Sequence, residues 1–125
     1  MKNLLVIVLF STLLIPRTLI INPVLKPSLE LEEIGWRIVT GYASEVAQTD
    51  NTPYITASQT SVHKGILACP RYYPFGTKFL INDQIYVCED RCNIRYRHRF
   101  DIWFPTTEEA KQWGKQIVFI KLVQL

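Results

Sequence analysis

The sequence predicts a mainly β domain, a small barrel of about six short strands with one short helix, preceded by an N-terminal apolar helix. Three observations carry this prediction. Short runs of β-forming residues recur between turn residues, a helix-opening pattern occurs once, and the charge-poor stretch of the chain is confined to its first 21 residues.

The whole chain has 125 residues, enough for one globular domain and not for two. Its net charge is +3, but Lys2 and Arg17 belong to the apolar start, and the remainder holds twelve basic against eleven acidic side chains. A domain so near neutrality is not a globally basic nucleic-acid binder.

Met1-Lys2-Asn3 followed by the apolar run Leu4 to Ile15 has the charge order of an export signal. Reaching the roughly 20 residues of a membrane span requires including Pro16 and Arg17, and no small-x-small cleavage site follows. Residues 1–21 therefore read as a signal peptide or an uncleaved signal anchor, and the rest of the chain as extracytoplasmic, either secreted or membrane-anchored. Residues 22–36, with Pro23, Pro27 and the acids Glu30, Glu32 and Glu33, read as a linker, leaving 37–125 as the domain.

Within the domain, Trp36 to Tyr42 alternates and is rich in β-formers, which predicts a strand. A polar loop ends at Pro53, Tyr54 to Ala57 is a second β-type run, and Ser58 to Gly65 is another polar loop. Ile66-Leu67-Ala68 leads into Cys69-Pro70, and Pro74-Phe75-Gly76 turns the chain into the strand Thr77 to Ile81. Asn82-Asp83 predicts a hairpin turn into Ile85 to Cys88, after which alternation places Tyr86, Cys88 and Asp90 on one side. Phe100 to Phe104 is an apolar β run interrupted only by Asp101. Thr106 with Glu109 forms a capping box that opens a helix through Trp113, and Gly114 closes it. Ile117 to Val123 is the last strand.

Three cysteines, Cys69, Cys88 and Cys92, in an exported chain leave at least one thiol outside any internal pair. Export permits a Cys69–Cys88 disulfide if the fold brings the two together. With only His63 and His98 beside them, no zinc-ligand spacing appears. A nucleophile elbow, a phosphate-cradling glycine loop and a dinucleotide fingerprint are all missing, so no metal and no cofactor are expected.

Asp101 is the candidate for chemistry. Its neighbours Phe100 and Ile102 point to the opposite sheet face, so it faces either solvent or a groove, and periodicity does not separate the two. Desolvation in a groove would favour its protonated form, whereas nearby arginines would oppose that. Asp90, at the end of its strand, is the second acid, with turn capping as the alternative. Asp50 and Asp83 read as turn residues. Arg91, Arg95, Arg97 and Arg99, with Tyr96 and His98 among them, form a basic stretch suited to a solvated loop or an anionic polymer.

The segments Val39-Thr40-Gly41-Tyr42, Ile55-Thr56-Ala57-Ser58, Leu67-Ala68-Cys69-Pro70-Arg71, Pro74-Phe75-Gly76-Thr77-Lys78, Glu89-Asp90-Arg91 and Arg99-Phe100-Asp101-Ile102 together resemble the 3D (three-aspartate) domain family. That family is similar to the catalytic barrel of membrane-bound lytic transglycosylase A and to small stationary-phase muralytic proteins. The resemblance implies a six-stranded double-psi β-barrel acting on peptidoglycan glycan strands. Asp101 corresponds to the family's catalytic acid and Asp90 to its partner aspartate, while Tyr42, Thr56 and Arg91 become substrate-contact candidates. The third aspartate's Ala-x-Asp-Pro context reads Ala68-Cys69-Pro70 here, and Arg91-Cys92-Asn93-Ile94-Arg95 replaces the family's glycine-rich stretch. The resemblance thus implies a lytic transglycosylase, with a non-catalytic cell-wall-binding barrel as the alternative. A monomer is expected, with peptidoglycan as partner, membrane contact through residues 1–21 if they are retained, and no nucleic acid.

Overall fold

Residues 28–44 and 54–124 are described by a computed structural model, in which six strands close into a barrel with one α-helix. The expected N-terminal signal or anchor helix lies outside the described residues. No helix among the described residues is long and apolar enough to cross a membrane.

The strands are β1 (Glu30–Tyr42), β2 (Ile66–Cys69), β3 (Lys78–Ile81), β4 (Gln84–Arg91), β5 (Phe100–Trp103) and β6 (Lys115–Gln124), with α1 (Thr107–Trp113) before β6. Around the barrel they follow the order β1-β5-β2-β4-β3-β6. The β1–β5 and β2–β4 pairs are parallel and the others antiparallel. Exchanging β1 with β4, β2 with β5 and β3 with β6 turns every pairing into one of the same sense, so the barrel has an internal two-fold relation in its connectivity.

Two strands depart from expectation. Tyr54 to Ala57 makes only a single bridge, Ile55 to Ser61, because the Thr56 hydroxyl accepts from Thr60 N (3.1 Å) and contacts the Thr60 hydroxyl (2.7 Å), closing a local turn that competes with a ladder. The sixth strand is instead β2, whose four residues are all buried. The linker expected over 22–36 ends early, since β1 already begins at Glu30. The C-terminal half of β6 supplies its partner, with Glu30 opposite Gln124 and the irregularity between Glu33 and Gly35 absorbed at a glycine of φ 98°. Both ends of the barrel chain therefore leave from one pole.

The expected turn chemistry is present. Asn82 and Asp83 take positive φ values of 47° and 63° in the two-residue hairpin joining β3 to β4. Thr106 caps α1 by accepting from Glu109 N at 3.2 Å, and Gly114 closes the helix at φ 68°.

Inside the barrel, Phe79, Phe100 and Tyr73 pack edge to face or tilted around Val39, Leu67, Ile102 and Ile120. A disulfide joins Cys69 to Cys88 across β2 and β4, with Cα atoms 5.6 Å apart, and Cys92 remains a buried free thiol. Helix α1 packs on β1 at Gly41, where a Cβ would sit 2.9 Å from both the Ala110 carbonyl oxygen and Phe104 Cε2. Gly41→Ala is expected to lower stability by about 1–3 kcal/mol through overpacking; urea unfolding compared with wild type measures it, and an unchanged midpoint would refute this packing constraint.

Candidate active site

A single row of residues crosses four adjacent strands. In register, Thr40 of β1 lies beside Asp101 of β5, Asp101 beside Ala68 of β2, and Ala68 beside Asp90 of β4. Paired residues share a sheet face. Since Val39, Phe100, Ile102, Leu67 and Cys69 are in the barrel core, alternation turns the row to the outer face.

Asp90 reaches that face through a bulge. Leu67 pairs with Cys88 but Ala68 pairs with Asp90, so Glu89 is an extra residue that reverses the alternation of β4. Tyr86 and Cys88 stay in the core while Asp90 faces outward, correcting the expectation that all three share a side. Asp90 and Asp101 are thus two strands apart, about 10 Å between Cα atoms from strand spacing, with Ala68 on the strand between them.

Asp90 is fixed by three donors. The Tyr42 hydroxyl donates to Oδ2 at 2.7 Å, and Ala57 N and Arg91 N donate to Oδ1 at 3.0 and 2.9 Å. Tyr42, placed two residues after Thr40 on the same face, has its phenol pushed far up by burial and then by Asp90, so it stays a donor. Thr56, 2 % exposed, is tied to Ser58 and Thr60; its hydroxyl holds the loop that presents Ala57 N to Asp90. Arg91 turns the other way. Its Nη1 donates to the carbonyl oxygens of Pro70 (3.1 Å) and Tyr73 (2.8 Å), and the guanidinium lies 3.9 Å from the Phe75 ring centroid. Of the three residues expected to contact substrate, Tyr42 and Thr56 support Asp90, and Arg91 braces the segment after β2.

No protein-family model matches the chain, and no curated protein is similar to it.

Asp101 is 9 % exposed. Arg99, expected in a solvated loop or against an anionic polymer, lies against it: Nη2 donates to Oδ2 at 3.3 Å, and Nε approaches Oδ1 at 3.2 Å. The second approach has ion-pair distance without hydrogen-bond alignment, so Arg99 Nε and Asp101 Oδ1 both lack a hydrogen-bond partner among the described residues, as does the buried Thr40 Oγ1. Burial pushes the Asp101 carboxyl above the usual carboxylate range; Arg99 and the Cys92 thiol pull it back, and Asp90 adds to the rise. Cys92 donates towards the carbonyl oxygens of Ala68 (3.2 Å) and Arg99 (3.1 Å), and burial pushes its thiol far up, so it is a neutral wall of the site. The arrangement provides a carboxyl that holds its proton more readily than an exposed one, beside polar atoms left for a further partner. Among the described residues no cluster of metal-ligating side chains occurs.

Because its folded-state pKa is raised, Asp101 binds more protons in the native than in the unfolded protein, and its ionisation lowers stability as pH rises above its ordinary value of about 4. Asp101→Asn is therefore expected to raise the thermal midpoint at pH 7, with the gain shrinking towards pH 4. A gain that grew on acidification would contradict this reading. Tyr42→Phe, which strips a donor from Asp90, should lower stability by about 1–2 kcal/mol in chemical denaturation.

Proposed function

We propose that this chain is an exported or membrane-tethered, 3D-like double-psi β-barrel that cleaves peptidoglycan glycan strands as a lytic transglycosylase, with Asp101 as general acid and then base. The observation that carries the reading is the outer row, in which a buried Asp101 lies in register, across Ala68, with a firmly held Asp90. The two parallel strand pairs and the two-fold connectivity are what a double-psi barrel requires, and they support the family resemblance.

In the proposed reaction, protonated Asp101 gives its proton to the glycosidic oxygen between N-acetylmuramic acid and N-acetylglucosamine as the C1–O bond breaks. The muramic C6 hydroxyl then attacks C1, and its proton returns to the Asp101 carboxylate. The products are a free N-acetylglucosamine 4-hydroxyl and a 1,6-anhydromuramic end, and water is not consumed. One carboxyl serves both steps, whereas hydrolysis ordinarily needs two to manage leaving group and water. Asp90, oriented by Tyr42, Ala57 and Arg91, stabilises the oxocarbenium-like state across Ala68. Arg99 must yield its contact with the carboxyl for Asp101 to donate.

That clamp favours a second reading, a cell-wall-binding barrel without turnover. Its other support is Cys69, which stands at or beside the place of the family's third aspartate and is committed to the disulfide.

Purified protein incubated with peptidoglycan sacculi separates the two. Mass spectrometry of the soluble products should show 1,6-anhydromuramic ends, and Asp101→Asn should lower their release by about 10²- to 10⁴-fold, the usual contribution of a positioned general acid. Reducing ends would indicate hydrolysis instead. If wild type releases nothing yet sediments with the sacculi, the binding reading replaces the enzyme.

A further inference from the structure

The cations of the segment between β4 and β5 do not scatter into solvent. Arg95, Arg97 and Arg99 meet Lys115 at the start of β6 around one cleft of about 510 Å³, with Trp36 on its wall. No acidic residue lines it. Among the described residues, only Arg99 of these four cations forms an ion pair, the one with Asp101. From residue 22 onward the chain is nearly neutral, so four of its twelve basic side chains gathered in one concavity polarise the surface strongly. Their mutual repulsion is relieved by an anion between them.

Two aromatic planes accompany the charges. Trp36 is 65 % exposed and held edge-on by Phe119, with ring centroids 5.4 Å apart. The Arg99 guanidinium lies 3.7 Å from the Tyr96 ring centroid, which fixes the plane of its donors. Guanidinium forks match phosphate oxygens in pairs, and an exposed indole face suits a sugar ring.

We propose that this cleft binds a phosphate-bearing glycan polymer, its phosphates between Arg95, Arg97 and Lys115 and a sugar on Trp36. The choice of a glycan over a nucleic acid rests on the apolar, export-type start of the chain. The site goes beyond the cleavage reading and does not require it. Arg99 joins the two, because a phosphate engaging its guanidinium competes with Asp101 for the same donors.

Calorimetric titration of the full chain tests this with a phosphodiester-linked oligosaccharide, a neutral oligosaccharide of equal length, and a single-stranded oligonucleotide with the same number of phosphates. The phosphodiester glycan should bind most tightly, weakening as salt rises, while the neutral glycan should be at least tenfold weaker. Arg95→Gln combined with Arg97→Gln alters two exposed side chains and should reduce affinity by about tenfold for each arginine, the low end of a charge-assisted hydrogen bond. Lys111→Gln, on the exposed face of α1, carries the same charge loss as either arginine change and should leave affinity within twofold. Asp101→Asn, which removes the proposed acid, should bind at least as tightly as wild type. Equal binding of the neutral glycan, tighter binding of the oligonucleotide, or a comparable loss in Lys111→Gln would overturn the proposal. A loss in Asp101→Asn would overturn it as well, because removing the carboxylate frees the Arg99 donors for phosphate.

Discussion

The extra residue in β4 is the constraint on which the rest of the arrangement depends. Through Cys88 the strand follows the register that keeps its side chains in the core and allows the disulfide to Cys69; beyond Glu89 the same strand presents Asp90 to the outer face and returns Arg91 inward. Without the bulge, Ala68 would face Glu89, and Asp90 would be driven beside Cys69 into the apolar interior, where an aspartate has no stable place. The loop around Thr56 secures the irregularity, since Ser58 N donates to the Glu89 carbonyl oxygen at 3.0 Å and Ala57 N to the Asp90 side chain. The irregular, polar loop and the bulge are therefore one device.

At Asp101 opposing forces are nearly in contact. Burial favours the neutral acid, and Arg99 favours the anion, but its alignment leaves Nε and Oδ1 without a proper hydrogen bond. A barrel selected for stability alone would have placed an apolar residue here, because partly satisfied buried polar groups weaken a fold. Among the described residues, three of the four buried side-chain polar atoms without a hydrogen-bond partner, Thr40 Oγ1, Arg99 Nε and Asp101 Oδ1, gather at this point, and the fourth, Glu89 Oε2, lies at the bulge of β4.

Features set by a few consecutive residues were legible in the sequence. The Thr106–Glu109 cap, the Asn82-Asp83 hairpin, the alternation of Trp36 to Tyr42 and the anomaly of Asp101 in an apolar run all have local causes. What was not legible depends on partners far along the chain. β1 extends back to Glu30 only because β6 lies alongside, Tyr54 to Ala57 loses its strand to a hydroxyl-centred turn, and the bulge at Glu89 shows only in the pairing with Ala68. Arg91 and Arg99 illustrate the same limit at the site. Both are arginines in one basic stretch, yet the first is spent on backbone oxygens beside the disulfide and the second on the candidate acid. Their fates follow from the face each occupies, set for Arg91 by the bulge in β4 and for Arg99 by the register of β5.

The two poles of the barrel differ in what they carry. Glu30 and Gln124 are side by side at one pole, whereas Thr40, ten residues along the same strand, marks the height of the Asp101 row. At strand rise this separation is roughly 30 Å measured along β1. A group joined to the chain at the first residues of β1 would therefore sit at the opposite pole from the Asp101 row and leave that row uncovered.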